Sequence, residues 1–152
     1  MAKRSIRDIE NIWSNVEGVK RLSDRAIGIG PIGFGMDALL TWVPVVGTVY
    51  TVGAGGWLVI QAARAKASPS TLAKMLVFLG VDTATGSVPL FGDVVDTFFP
   101  GHLMAAKTLQ GEIESTHWVE ANEREARASG DHDRHVEAMK AAGRKRVVYL
   151  HD

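Results

Sequence analysis

One pattern occurs twice in this chain and limits what it can fold into. Gly35, Asp37, Val43, Pro44 and Gly47 match Gly80, Asp82, Val88, Pro89 and Gly92 in fixed register, each pair 45 residues apart. The shared pattern is G-x-D-x5-V-P-x2-G, and Asp93 follows the second copy. Five identities in register read as an internal duplication. In each copy an apolar run meets a Pro–Gly break. Proline removes a backbone donor and clashes with the preceding turn, so neither copy reads as one straight helix. The pattern therefore predicts an all-α protein built from two tandem Pro/Gly-broken helical hairpins. A direct repeat of paired helices returns the chain to its starting side and implies a pseudo-two-fold axis parallel to the hairpins.

Charge divides the 152 residues in the same way. Residues 26–106 hold only 3 basic and 4 acidic side chains, while the rest hold 27 charges. The reading is an amphipathic helix in residues 1–25, a duplicated apolar hairpin domain in 26–107 and a charged helical arm in 108–152. The absence of cysteine excludes disulfides, thiolate metal sites and a cysteine nucleophile. A net charge of zero argues against a nucleic-acid binder working by bulk electrostatics.

The individual helices have local signals. Ile6, Ile9, Trp13, Val16 and Val19 recur at helical spacing over roughly residues 5–22, behind a Ser5–Asp8 capping pair. That helix either packs on the protein's own core or lies on a membrane surface. Residues 38–63 carry no charge. As one helix they would span about 39 Å, enough to cross a bilayer core, but Pro44 and Gly47 break the run. The expected form is a break at Pro44–Gly47, a helix from Thr48 to about Ala65, a turn at 67–70 and a second helix over 71–88. Residues 112–129 read as a solvated helix with Ile113, Trp118 and Val119 on its inner side. Residues 135–152 read as a short helix and a frayed tail.

Lys20, Arg21 and Arg25 precede the first hairpin, Arg64, Lys66 and Lys74 lie near the junction, and Lys107 follows the second. Basic residues thus flank the hairpins and avoid their tips. By the positive-inside rule this places the charged arms on the cytoplasmic side and points both tips toward the membrane. Gly47, Thr51 and Gly55 form one small-residue stripe, and Thr97, Gly101 and Ala105 another, as close helix packing requires.

These residues resemble a known family. Asp24, Gly35-Met-Asp37, Val43-Pro44-Val-Val-Gly47, Leu72-Ala-Lys-Met-Leu76, Asp82, Val88-Pro89-Leu-Phe-Gly92-Asp93 and Asp96 are similar to domain of unknown function 4112 over roughly residues 19–109. The resemblance implies a small helical, membrane-associated protein with no established activity. Two departures stand out. Thr48 occupies the position where the family pattern usually has Asp. Phe99-Pro100-Gly101-His102-Leu103 replaces a Lys/Asn-rich segment.

Candidate chemistry is sparse. Asp37 and Asp82 are repeat-equivalent acids in the charge-poor region, suited either to a cation or proton pathway or to holding the breaks by backbone hydrogen bonds. Gly35, Pro44, Gly47, Gly80, Pro89, Gly92 and Asp93 read as structural motif residues, with Asp93 as an N-cap and Thr48 able to fill that role in the first copy. His132 and His135 share a helix face and are a weak metal candidate without a clear third ligand. A G-x-G-x-x-G at Gly28, Gly30 and Gly33 contains Pro31 and lacks the strand and downstream acid of a dinucleotide site. No catalytic spacing occurs, so no enzyme, cofactor, small-molecule substrate or nucleic-acid partner is expected. The leading expectation is a structural or scaffolding protein of the bilayer, assembled as a homo-oligomer. A minimal ion or proton pathway through Asp37 and Asp82, and a soluble dimeric adaptor, are the alternatives.

Overall fold

The computed structural model describes residues 4–28, 44–85 and 101–151. In chain order these form α1 (Ile6–Gly28), α2 (Pro44–Arg64), α3 (Pro69–Thr85), α4 (Gly101–Glu114), β1 (Thr116–Asn122), α5 (Glu123–Ser129), α6 (Asp131–Ala141) and β2 (Arg146–His151). The protein is mostly helical, with a small sheet that the all-α expectation missed.

α1 forms where the helical periodicity placed it. Its Asp8 carboxylate accepts hydrogen bonds from the Ser5 backbone N–H and hydroxyl, at 2.8 and 3.2 Å, and closes the first turn. Ile9, Ile12 and Val16 are buried in the main core, so this helix packs on its own protein. Lys20, expected as part of a basic cluster, is tied down instead. Its ammonium donates to Glu17 at 2.8 Å and to Gln110 of α4 at 3.3 Å. The Gln110 carboxamide also donates to Glu17 at 2.8 Å. Together with Lys20 it holds the Glu17 carboxyl down to about 2.

The break expected at Pro44–Gly47, with a helix resuming at Thr48, is not seen there, because these residues already belong to a helix. Pro44 is the first residue of α2, where a missing N–H is harmless, and the helix continues through Gly47 and Thr48. Thr48 is therefore not an N-cap. At the other end, Ala67 N–H donates to Ala62 O at 3.0 Å and Lys66 N–H to Ala63 O at 3.1 Å, a Schellman closure. Lys66 occupies its left-handed position at φ 47°. Ser68 then caps α3, its hydroxyl accepting from the Thr71 N–H at 3.3 Å.

α2 and α3 pack as a hairpin. A Cβ on Gly55 would lie 3.2 Å from a Leu79 methyl, so glycine permits the close approach at this point of the expected small-residue stripe. α4 packs against α1, α2 and α3. Its buried residues Gly101, Ala105, Ala106, Leu109, Gln110 and Ile113 recur at helical spacing, small at one end and larger at the other. Leu58, Met75 and Leu109 are fully buried in the resulting core. The internal duplication cannot be traced here, because 29–43 and 86–100 lie outside the described residues.

The region expected as a solvated helical arm is a β–α–α–β unit. β1 and β2 pair in parallel, Thr116 opposite Arg146 and Val119 opposite Tyr149. A parallel pair needs a long crossover, and α5–α6 supply it. Asn122 caps α5 by accepting from Arg124 and Glu125 N–H groups at 2.9 and 3.2 Å. Gly130 at φ 82° turns the chain from α5 into α6. Because strand side chains alternate, Trp118, Val148 and Leu150 complete the main core. Val119 and Tyr149 form a second cluster with Ala126. The tail is therefore paired and buried rather than frayed.

One polar hub joins hairpin, α4 and sheet. The Glu112 carboxylate accepts from the Ser68 N–H at 2.9 Å, from the Thr71 hydroxyl at 3.0 Å and from the Arg146 guanidinium. Arg146 also donates to Lys66 O at 2.9 Å, and the Lys66 ammonium donates to Tyr149 O at 2.9 Å.

Candidate functional site

The motif residues are only partly placed. Gly35, Asp37, Pro89, Gly92 and Asp93 lie outside the described residues. Pro44 and Gly47 belong to α2. Gly80 is exposed on α3 with open space around it. Asp82 lies on the α3 backbone, but its side chain lies outside the described residues. The Asp37–Asp82 pair is thus not brought together by anything described.

The feature with the strongest physical signature is the outer face of the α2–α3 hairpin. Each helix turns one face to the core, burying Leu58 and Ala62 on α2 and Met75 on α3. The other face stays apolar. Ile60, Leu76, Val77 and Val81 are 59%, 56%, 62% and 46% exposed. Beside them Gly53, Gly56 and Ala63 on α2 and Ala73 and Gly80 on α3 are also exposed. Arg64 and Lys74 are exposed near the turn end of the hairpin. Single exposed apolar residues are ordinary, whereas four large ones on one hairpin mark a contact surface. Among the described residues, no helix is long and apolar enough to cross a membrane.

The histidine pair predicted from spacing does converge, on a group the spacing did not reveal. Nδ1 of His132 and Nδ1 of His135 each lie 3.0 Å from the phenol oxygen of Tyr149. The His132 ring stacks on Tyr149 and the His135 ring meets it edge-on. Tyr149 is buried, and burial, then Glu123, pushes its hydroxyl above the usual phenol range. The phenol has one proton, so at most one Nδ1 accepts the O–H and the other must donate to the phenol oxygen. His117, on the same face of β1 as Val119, is held below the usual imidazole range by burial, then by Arg144 and His135. Among the described residues, no three His, Cys, Asp or Glu gather around a point that could hold a metal.

α6 buries none of its own residues, so these two hydrogen bonds are a main attachment of α6 to the sheet. Tyr149→Phe is expected to cost about 1–2 kcal/mol, the scale of a lost hydrogen-bonded buried hydroxyl. Urea unfolding checks the loss. Nitrogen chemical shifts of the imidazoles check that the fixed tautomers of His132 and His135 are released.

No curated protein matches this chain, and no solved structure does. A family model, described as domain of unknown function (DUF4112), matches residues 12–113. That stretch begins on the buried face of α1 and ends at the last buried residue of α4, leaving the β–α–α–β unit outside it. With two-thirds of its length under one family model, the chain belongs to the family described as domain of unknown function (DUF4112).

Proposed function

We propose that this protein is a membrane-associated structural protein that docks on a lipid bilayer through the outer face of the α2–α3 hairpin. The observation that supports this reading is the exposure of Ile60, Leu76, Val77 and Val81 on one hairpin. Among the described side chains of the hairpin the exposed charges are Lys74 and Arg64, both cationic, with Arg64 turned toward α1, and cations favour contact with anionic lipid. Docking by a face asks less of the chain than crossing. A buried Leu or Val side chain contributes roughly 1.5–3 kcal/mol, so a few suffice for reversible attachment. The hairpin would then hold the rest of the fold at the surface as a scaffold.

Vesicle flotation tests it. The wild-type chain is expected to rise with vesicles of mixed zwitterionic and anionic lipid. Leu76→Glu with Val77→Glu is expected to weaken binding at least about a hundredfold, because two apolar anchors become charges. Both positions are exposed, so the helical circular dichroism signal should be unchanged. A wild-type chain that stays at the bottom of the gradient, and runs as a monodisperse dimer without detergent, would show that the face is covered by a second copy instead.

A further inference from the structure

A polar cleft of about 330 Å³ lies between α1 and the C-terminal end of α2. Asp8, Asn11 and Asn15 line it from α1, Gln61 and Arg64 from α2, and Ile12 forms part of its floor. Gln61 is the informative residue. It is only 5% exposed, and its backbone carbonyl is used by Ala65 within the helix turn. Its carboxamide makes no hydrogen bond among the described residues. Among the described residues no buried side-chain nitrogen or oxygen lacks a partner, so the Gln61 carboxamide is reached by solvent, where a polar ligand can replace water. What remains accessible of Gln61 opens on the cleft.

The acidic wall is set in place by side-chain contacts and the basic one by a contact to its backbone. Oδ2 of Asp8 is held by the Ser5 N–H and hydroxyl, which leaves Oδ1 free of that pairing. The same Ser5 contacts, with Arg64 and Arg4 acting through their charge, hold the Asp8 carboxyl below the usual carboxylate range. Arg64 is anchored through its carbonyl, which accepts from the Arg4 guanidinium at 3.0 Å. Asp8 and Arg64 feel each other's charge, but no ion pair joins them across the cleft. A fixed anion and a cationic fork thus face a common space, with carboxamides of both donor and acceptor character around it.

From this arrangement we infer that the cleft binds a small zwitterion of amino-acid type. Its ammonium group sits at Asp8 Oδ1 with the asparagine carbonyl oxygens. Its carboxylate is received by the Arg64 fork and the Gln61 amide, the bidentate pairing guanidinium favours. The bound molecule takes the place of the water that reaches the Gln61 carboxamide.

The test is a titration of the full ¹⁵N-labelled chain with glycine and with L-serine, followed through the side-chain amide signals of Asn11, Asn15 and Gln61. Saturable shifts are expected with both. Acetate alone and methylammonium alone should each need at least about tenfold higher concentration, since each makes only half of the charged contacts. Gln61→Leu and Arg64→Gln should each weaken binding by about tenfold or more, the scale of a hydrogen bond to a charged group. Gln61→Leu should at the same time keep or raise the melting temperature, which an essential core hydrogen bond would not allow. No saturable shift, or shifts that both variants leave intact, overturns the proposal. Glycerol moving the same signals where glycine does not would overturn the zwitterion in favour of a neutral polyol.

Discussion

Leu109→Ala is expected to destabilise the protein by about 3–4 kcal/mol and to lower its melting temperature by roughly 10 °C. Leu109 is fully buried, and its helix α4 is the element against which α1, α2 and α3 all pack. The lost side chain leaves a cavity bordered by three helices, each also held by other contacts, so none can close the space alone. Its core neighbours include Ile9, Leu58, Met75 and Leu150, from α1, the hairpin and β2. The cost should therefore exceed that of truncating Val148 at the sheet edge of the same core. Thermal and urea melts of the two variants check both the size and the order. A loss below about 1 kcal/mol for Leu109→Ala would mean that α4 is not central.

Glu112→Ala is expected to cost about 3 kcal/mol, because it orphans three partners at once. The Arg146 guanidinium loses its carboxylate while 29% exposed, the α3 N-terminus loses the group on the Ser68 N–H, and the Thr71 hydroxyl loses its acceptor. The pH dependence gives an independent readout. Burial pushes the Glu112 carboxyl up, but the Ser68 and Thr71 hydrogen bonds and the Arg146 charge outweigh it, and the folded value lies below the ordinary 4.5. A carboxyl with a lowered folded pKa stabilises when ionised. Its contribution is full above 4.5 and fades as pH falls through the folded value. Glu17, held down to about 2, has the same sign and stays in the variant. Glu112→Ala should thus lose part, but not all, of the acid sensitivity of the wild type. Urea midpoints between pH 6 and pH 3 measure it. Parallel curves for the two proteins would show that the hub does not form.

How far the sequence could be read follows from where each signal resides. Helical spacing and local caps placed the starts of α1, α2 and α3 within a few residues, because Ser5–Asp8 and Ser68–Thr71 are interactions between near neighbours, while α1 runs on to Gly28, past its expected end. The break was read over Pro44–Gly47 with a helix from Thr48, but these residues are already helical, since a proline that breaks an interior can equally open an N-terminus. The sheet went unread because its strands are separated by α5 and α6, and its charged and polar members, His117, Glu120 and Arg146, look like a solvated arm. The run Val147–Val148–Tyr149 was the available hint, β-branched and aromatic just past the Gly143 turn. The cleft left no trace in one dimension either. Asp8, Asn11 and Asn15 recur as any solvated helical face does, and only the fold sets Gln61 opposite them. The outer hairpin face was legible as apolar sequence, but which of its residues face outward was not. Gly55 and Gly56 are adjacent, and one is buried while the other is exposed.

The closing contact of the fold carries a consequence for how the chain comes into being. His151 meets the backbone carbonyl of Arg4 at 2.9 Å, across 147 residues of sequence. At about 5–20 residues per second a ribosome needs roughly 7–30 s to travel between those two positions. Over the last part of that interval α1, the hairpin and α4 are already made, while Val148 and Leu150, which complete their core, are not yet available. The lipid contact proposed for the outer hairpin face is therefore one that the chain can make before its last strand closes the core.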